Sequence, residues 1–381
     1  MRIMLSYGLV GRGGDAIQVL EIAQALRNLG HEVKLIGPQL LQPYAFKNMR
    51  NRVRTVLRKF PWWARDLLEF CLNLHTFYLV RRALRHENFD LAFHRVSIYD
   101  LVGPRLARYV PVIAYIDAPF PIERNFRKEG YFGHLHKRTM RALGQSVLLI
   151  VTVSKASQKY YAELGLPSSK IVVIPNGVSE KLYQLALELA KNGLPFAHGP
   201  PWTIGFVGSL SPWHRVDLLL KAFALLEGNK YNLTIVGYGS EYKKLQGLAN
   251  WLGVEKKVNW LGPVPHEEAI QEMVNFDIAV LPGTLSTGAP IKLFEYAALA
   301  RPVIAPDLPN LRAWFADDEM RFIEPENPQA LAKAILSLCE APEEARQMGL
   351  RAQARVAEYT WEKIVQRILE TARVIGKSEN Q

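Results

Sequence analysis

One arrangement occurs twice along this chain: an apolar run, a glycine-containing loop and then an amphipathic helix. The first copy begins with Arg2–Tyr7, passes through a glycine-rich segment at 8–15 and enters a helix predicted over 16–29. The second copy begins at 203–207, followed by Gly208 and a helix predicted from Val216. Apolar runs that alternate with helices are typical of parallel strands covered on both faces. The sequence therefore predicts an α/β protein with two Rossmann-like, doubly wound domains.

The domain boundaries are predicted from a change in composition. Segment 191–202, KNGLPFAHGPPW, concentrates glycine and proline without apolar periodicity, which is typical of a linker. We expect an N-terminal domain over 1–190, a C-terminal domain over 203–358 and a C-terminal helix over 359–381 that could return to the N-terminal domain. Two such domains should face a central cleft lined by the loops at the carboxyl ends of their strands, the default binding site.

The charge is unevenly distributed. The chain has 47 basic and 36 acidic residues, a net charge of +11. Residues 1–190 hold 27 basic and 14 acidic side chains (+13), and the remainder holds 20 and 22 (−2). This asymmetry argues against a uniform nucleic-acid-binding coat and favours a basic face on one domain. Cys71 and Cys339 show neither metal-ligand spacing nor a disulfide framework. No signal peptide or membrane-spanning apolar segment is evident in the sequence. We therefore expect a cytoplasmic protein, with peripheral association with the inner membrane face as an option.

The first glycine loop carries a weak motif. Residues 11–16, GRGGDA, fit a dinucleotide-binding fingerprint, but the second predicted strand ends in LIGP at 35–38 without the acidic residue that a nicotinamide site uses for the ribose. A nicotinamide cofactor is therefore not expected. Gly13 and Gly14 could still let the backbone approach an anionic ligand at a helix amino terminus. The alternative is a tight turn that needs positive φ.

The second loop carries a stronger motif, 282–296, PGTLSTGAPIKLFEY. Small residues precede a helix that is expected to begin near Pro290. Lys292 would add a positive charge in the first turn, and Glu295 could accept hydrogen bonds from two ribose hydroxyls. The alternative is a core helix with Glu295 in a solvated turn. The backbone amides expected to face phosphate oxygens belong to Gly288, Ala289 and Ile291.

Three segments in order carry a family resemblance: VTVSKASQKYYAELGLPSSKIVVIPNGV at 151–178, FVGSLSPWHRVDLLLKAF at 206–223 and APIKLFEYAALARPVIA at 289–305. They resemble the retaining glycosyltransferases of the GT-B fold, family 4 (group 1 glycosyl transferases). The resemblance covers most of the chain. It implies a GT-B architecture and a nucleoside-diphosphate sugar donor bound mainly by the C-terminal domain.

The resemblance also implies roles for single residues. Glu295 would hold the ribose, Lys292 and Arg215 the diphosphate, and the backbone at Gly262 and Val264 the base. No Asp-x-Asp motif lies on a suitable loop, so neither a metal ion nor another cofactor is expected. Three positions depart from the family pattern: Thr287 replaces a carboxylate, and Ser209 and His214 replace an arginine and a lysine. The remaining donor-binding positions implied by the resemblance are Gly208, Gly288, Ala289 and Ile291.

Asp117 follows the predicted strand Val112–Ile116, where the family commonly has histidine. The resemblance implies a role for Asp117 in accepting a hydrogen bond from a sugar hydroxyl or from the acceptor. The alternative is a helix or turn cap, a frequent role of aspartate. Arg95 and Glu123 are further candidates on the same rim, whereas His94 is expected to be a packed strand residue.

A basic stretch precedes two tryptophans. An apolar stripe recurs at helical spacing over 49–60, and the basic residues lie off that stripe. A basic amphipathic helix with neighbouring tryptophan is typical of an anionic lipid surface. The alternatives are a helix that packs on its own domain and a nucleic-acid patch, which the pattern disfavours. The residues assigned to this acceptor or membrane side are Arg50, Arg54, Arg58, Lys59, Trp62 and Trp63.

The predicted function is transfer of a sugar, with retention of anomeric configuration, from a nucleoside-diphosphate sugar. The family context favours a lipid-linked or envelope glycan acceptor, with an anionic membrane surface as a further partner and no nucleic acid. Two alternatives stay open: a soluble transferase acting on a small aglycone, and a catalytically silent nucleotide-sugar-binding scaffold of a membrane complex.

Overall fold

The computed structural model describes residues 1–8, 14–38, 61–117, 119–126, 130–191 and 199–379. The chain forms two units, one of residues Met1–Pro175 with Trp361–Gln381 and one of residues Asn176–Thr360. Each unit contains a six-stranded parallel sheet with helices around it. The predicted class, α/β with two doubly wound domains and a helical C-terminus, is confirmed.

The strands are short and mostly apolar. All five positions of the fourth strand are buried, as expected of a parallel sheet with both faces covered. The strands of the first unit are β1 (Arg2–Tyr7), β2 (Glu32–Ile36), β3 (Leu91–Arg95), β4 (Val112–Ile116), β5 (Leu149–Thr152) and β6 (Ile171–Val173). Those of the second unit are β7 (Trp202–Val207), β8 (Tyr231–Val236), β9 (Val258–Gly262), β10 (Ile278–Val280), β11 (Val303–Pro306) and β12 (Arg321–Ile323).

The helices alternate with the strands, and several have identifiable end signals. The sixth begins after Ser154, whose side chain accepts from the amide of Ser157, and it ends at Gly165 in the left-handed conformation. In chain order the helices are α1 (Gly14–Asn28), α2 (Trp62–His86), α3 (Val102–Leu106), α4 (Phe120–Phe126), α5 (Gly133–Ser146), α6 (Lys155–Leu164), α7 (Glu180–Lys191), α8 (Val216–Ala224), α9 (Tyr242–Trp251), α10 (His266–Val274), α11 (Ile291–Ala298), α12 (Pro309–Arg312), α13 (Pro328–Glu340), α14 (Pro342–Val356) and α15 (Trp361–Glu379).

The strand order locates the loops that can form a binding site. The first sheet has the order β2-β1-β3-β4-β5-β6, and the second has the order β12-β11-β10-β7-β8-β9. The chain reverses its direction across the sheet between β1 and β3 and between β7 and β10. In open parallel sheets, ligands bind beyond the carboxyl ends of the strands at such a reversal. The loops after β1, β3, β7 and β10 are therefore the candidate positions.

The division between the units differs from the predicted boundaries. The Asn176 side chain donates to the carbonyl of Ala289 at 2.7 Å, and the Val178 amide donates to the carbonyl of Tyr359 at 2.9 Å. These contacts attach 176–191, including α7, to the second unit rather than to the first. Helix α15 packs on α1, where Asn28 donates to Glu362 at 2.6 Å. Composition locates a linker, whereas these contacts join residues far apart in the chain; residues 192–198 of the expected linker lie outside the described residues.

Within the part of the chain that the structure describes, no helix is both long and apolar enough to cross a bilayer.

Candidate functional site

In the second unit, the loops after β7 and β10 meet at the reversal of the strand order. Gly208 directly follows β7 and adopts φ +150°. A β-carbon at this position would lie 2.2 Å from Nζ of Lys292, so a larger residue here would displace that ammonium group. Sequence spacing placed Lys292 in the first turn of α11, and the structure places its head group beneath the Gly208 loop.

Lys292 is held in largely uncharged surroundings. Its Nζ lies 4.6 Å from the centre of the Phe206 ring, a cation–π distance, and 3.3 Å from Nε2 of His214. Burial lowers the pKa of Lys292 to about 7, although the nearby Glu295 carboxylate opposes this shift. An anionic ligand would strongly stabilise the charged form of such a desolvated ammonium group, because its own surroundings neutralise it only in part.

His214 acts as an acceptor towards Lys292. Its Nδ1 lies 2.5 Å from the carbonyl oxygen of Ser209, which can only accept, so Nδ1 carries the hydrogen. Nε2 is then left to accept from the lysine. Burial, together with the positive charge of Lys292, keeps the pKa of His214 well below 6.5, so the imidazole is neutral at pH 7. The Ser209 hydroxyl lies nearby, 3.3 Å from Nδ1.

Glu295 has a partner that sequence reasoning missed. Oε1 of Glu295 lies 2.6 Å from Nε2 of His266, the first residue of α10. The Glu295 side chain is 7% exposed and that of His266 is 34% exposed, so the contact lies at the rim of the site with the carboxylate on its inner side. The two residues are 29 positions apart, and no local spacing in the sequence indicates their contact.

Arg215 is placed differently from Lys292. Its Nε lies 3.1 Å from Asp217, and its guanidinium also contacts Glu326. Two carboxylates thus already neutralise the charge that sequence reasoning assigned to the diphosphate. The structure therefore favours Lys292 over Arg215 as the cation available to a ligand at the Gly208 loop.

The segment between β10 and α11 is shaped by internal hydrogen bonds. The Gly288 amide donates to the carbonyl of Leu285 at 3.1 Å and so closes a turn. Contrary to the prediction, this amide does not point to a phosphate site in the structure. The carbonyls of Gly288 and Ala289 accept from Asn310 and Asn176, both at 2.7 Å. Thr287 is buried. Ile291 begins α11, where the first amides have no intrahelical acceptor and are the ones suited to an anion.

The segment predicted to contact the base ends β9. Gly262 has φ +66°, and its carbonyl accepts from the amide of Gly237 at 2.7 Å. Val264 follows two residues later and is half-buried. The next residues lead into α10, which begins with His266. The segment predicted to contact the base and the residue that contacts Glu295 therefore lie on one short connection, 262–266.

In the first unit, Asp117 and Arg95 form an ion pair beyond β3 and β4. Nη2 of Arg95 lies 2.9 Å from Asp117 and 2.7 Å from Asp15 of α1, and Gln18 donates to Asp117 at 3.1 Å. Burial opposes the charge of Arg95, but the two carboxylates outweigh it and raise its pKa. The Asp117 carboxylate is therefore held by side chains of β3 and α1.

Glu123, His94, Gly13 and Gly14 of the first unit were also considered in the sequence analysis. Glu123 lies in the first turn of α4. The pKa of the buried Tyr161 is raised well above its usual range, chiefly by burial, and the charges of Asp117 and Glu123 contribute. His94 is buried between Ser6 and Asp100, at 2.8 and 2.6 Å, as expected of a packed residue. Gly14 begins α1, and Gly13 lies outside the described residues.

The two predicted tryptophans begin α2. Trp62 is 36% and Trp63 52% exposed, and the Trp62 ring lies 5.2 Å from that of Phe132. Leu67 on α2 and Phe126 on α4 are also more than half exposed. The basic residues Arg50, Arg54, Arg58 and Lys59 lie outside the described residues, as does the whole stripe 49–60.

Comparison with known proteins gives two family matches. A model described as "Glycosyltransferase Family 4" matches residues 12–182, and a model described as "Glycosyl transferases group 1" matches residues 195–355. Among curated relatives, D-inositol 3-phosphate glycosyltransferase of Nocardia farcinica is 26% identical over 266 residues, 67% of this chain and 56% of the relative. Phosphatidyl-myo-inositol mannosyltransferase of Mycobacterium tuberculosis (strain H37Rv) is 24% identical over 379 residues, 96% of this chain and 94% of the relative. The chain therefore aligns with little more than half of the first of these relatives.

Solved structures support the fold. Anabaena HepE, crystallised with UDP, is 20% identical with a TM-score of 0.72, and the match covers 98% of this chain and 100% of that one. Sucrose-phosphate synthase of Thermosynechococcus elongatus is 18% identical with a TM-score of 0.73, over 99% and 100%. At this identity the likeness establishes the shared architecture.

Proposed function

Because the chain belongs to the family 4, group 1 glycosyltransferases, which have the GT-B fold, we propose that it transfers a sugar from a nucleoside-diphosphate donor bound by its second unit. The observation that carries this proposal is that Lys292 and Glu295 both lie near the start of α11, with the Lys292 ammonium group beside the glycine loop after β7. The crystallised relative HepE holds UDP.

The chemistry follows from where charge develops. As the glycosidic bond breaks, negative charge builds on the leaving diphosphate. Lys292 and the first amides of α11 supply donors that are already fixed in position before this charge appears. Such donors stabilise the transition state more than the ground state. Glu295 would accept from the ribose hydroxyls and so hold the nucleotide in register with those donors.

In the first unit, Asp117 and Arg95 would receive the acceptor or a sugar hydroxyl. Within the described residues, Nη1 of Arg95 is buried and meets no acceptor. We further propose transfer with retention of configuration and without a bound metal ion. Proton NMR of the anomeric centre in the product tests the first statement, and unchanged turnover in EDTA tests the second.

The proposed acceptor is a lipid-linked or envelope glycan at the inner face of a membrane. Support comes from the +13 charge of residues 1–190 and from the exposed aromatic side chains at the start of α2. The relative from Mycobacterium tuberculosis is named for phosphatidyl-myo-inositol. A soluble transferase for a small aglycone and a silent scaffold are the alternatives.

A thermal-shift screen against UDP-, GDP- and ADP-sugars tests the donor proposal. A ligand that binds only the folded state raises the melting temperature, and we expect one nucleotide class to do so. Glu295→Ala should abolish that shift, whereas Glu268→Ala, an exposed glutamate on α10, should retain it. No shift with any donor, or the same shift in Glu295→Ala, would contradict the proposal. Transfer by the wild type that Glu295→Ala abolishes would exclude the scaffold.

A further inference from the structure

Resting on the proposed function, we infer that His266 is a positioning residue: it holds the Glu295 carboxylate towards the donor ribose and so sets the preference of the site for ribonucleotides over deoxyribonucleotides. The inference starts from a contact within the second unit, 2.6 Å between Nε2 of His266 and Oε1 of Glu295. The histidine begins α10 directly after the turn that ends β9, and the glutamate lies on α11.

The contact leaves the carboxylate able to bind a ligand. An ionised carboxylate only accepts hydrogen bonds and offers about four acceptor positions, so Nε2 of His266 must be the donor and occupies one of them. This bond restrains the rotation of the carboxylate. The remaining positions can then accept from ribose hydroxyls without a further loss of side-chain freedom, which makes the site preorganised.

The same contact keeps Glu295 apart from Lys292. Side chains three residues apart on a helix are neighbours, and an acidic and a basic group at this spacing can pair. If Glu295 turned to Lys292, the carboxylate would be lost to the ribose and the ammonium group to the diphosphate. The pull of His266 from α10 opposes this internal pairing. His266 therefore keeps both ligand-binding groups available at the same time.

The exposure of the two residues agrees with this role. Glu295 is 7% exposed and His266 is 34% exposed, so the histidine forms the outer edge of the site and a ligand can lie against it. If the contact served stability alone, its loss would not change the preference for a nucleotide with ribose over one with deoxyribose. The preference for the 2′-hydroxyl is thus the property that separates a positioning role from a structural one.

Isothermal titration of the full-length protein with UDP and with 2′-deoxy-UDP tests the inference, together with the GDP and ADP pairs. A hydrogen bond to a charged group predicts that the wild type binds the ribonucleotide about tenfold more tightly than its 2′-deoxy form. In His266→Ala this ratio should fall to about threefold or less. His266→Gln, whose amide can donate to Glu295, should restore it, and His134→Ala on the surface of α5 should leave it unchanged.

Two results overturn the inference. A His266→Ala protein that keeps the wild-type ratio, even with a lower melting temperature, shows a merely structural role. A wild type that binds ribo- and deoxyribonucleotides equally removes the ribose preference itself. If the wild type binds no UDP, GDP or ADP, the proposed function fails and the inference falls with it. If His266→Ala does not fold, the ratio in His266→Gln decides: loss of discrimination there contradicts the donor role assigned to the imidazole.

Discussion

The ammonium group of Lys292 lies against an aromatic ring and a neutral imidazole, and the charge of Glu295 acts on it from one turn along α11. Ser209 and His214 stand where the resemblance implies an arginine and a lysine. In the structure, His214 turns an acceptor towards Lys292, and the Gly208 loop lies against Nζ.

This burial predicts a pH dependence of donor binding. The pKa of Lys292 is lowered to about 7, so the ammonium form is present below pH 7 and is lost as the pH rises. If the donor diphosphate binds that form, affinity for the nucleoside-diphosphate sugar selected by the thermal-shift screen, whose diphosphate ester does not titrate in this range, should weaken by about tenfold between pH 6.5 and 8.5. His214 stays neutral throughout, and the pKa of Tyr296 lies well above the range.

The control for this prediction is Lys292→Arg. A guanidinium stays charged over the whole range, so any binding that this variant retains should not change between pH 6.5 and 8.5. Calorimetric titration at four pH values measures both proteins. A wild type with a constant affinity, or a variant with the wild-type profile, would show that Lys292 does not titrate in contact with the donor.

The sequence predicted that Lys292 and Glu295 lie near the start of one helix, because this placement depends on local spacing, and the structure places both on α11. It did not identify His266, because the contact joins α10 to α11 across 29 residues. For Arg215 it identified the position but not the partners, since the neutralising Glu326 is more than 100 residues away. The use of the Gly288 amide in a turn also depends on loop geometry that composition does not specify.

At the scale of elements, the amino end of α2 carries an exposed aromatic and apolar patch. We define this patch as Trp62, Trp63, Leu67, Phe126 and Phe132, all at least 36% exposed. A buried network holds it in place: Asp66 on α2 accepts from Tyr99 and from Arg124 on α4, and Arg124 also contacts Glu69 at 3.1 Å. The patch therefore stands on elements tied to one another, in the half of the chain with the positive charge.

Cosedimentation with vesicles of phosphatidylglycerol and phosphatidylcholine tests whether this patch binds lipid. Removing two large apolar groups from a lipid contact, in Trp63→Ser/Leu67→Ser, should weaken binding by about tenfold or more. Trp251→Ser, which changes an 80% exposed tryptophan in the second unit, should bind like the wild type. Reversing the charges at Arg50, Arg54, Arg58 and Lys59 should also weaken binding and reduce its sensitivity to salt. Equal binding by all these proteins would contradict the proposal that the protein binds an anionic membrane.

Strands with a long apolar run were predictable from the sequence, whereas a short strand without such a run was not. The apolar runs of β1, β4 and β7 are long enough to indicate strands, whereas β12 has only three half-buried residues and shows no alternation that a sequence reading could detect. The attachment of α7 to the second unit and of α15 to α1 depends on long-range contacts. The fold class and the return of the C-terminal helix to the first unit were thus predictable from the sequence, whereas the boundary between Pro175 and Asn176 was not.

At the scale of the whole molecule, the net charge and the proposed donor site occupy different parts of the chain. Residues 1–190 carry +13, and the remainder, which contains Lys292 and Glu295, carries −2. If the proposed donor site is correct, the second unit needs little net charge, because one buried cation and a helix amino terminus would act at short range on the diphosphate. The excess basicity is then available for docking at an anionic acceptor or surface.

Turnover of the nucleoside-diphosphate sugar by Lys292→Met tests the central claim most directly. The measurement is the initial rate of nucleoside-diphosphate release from the donor selected by the thermal-shift screen. Loss of a preorganised donor to the leaving group should lower kcat by about 10²- to 10³-fold. Lys244→Met, which changes an 80% exposed lysine on α9, should keep the wild-type rate. A Lys292→Met protein that releases the nucleotide at the wild-type rate would contradict the claim that this buried lysine stabilises the departing diphosphate.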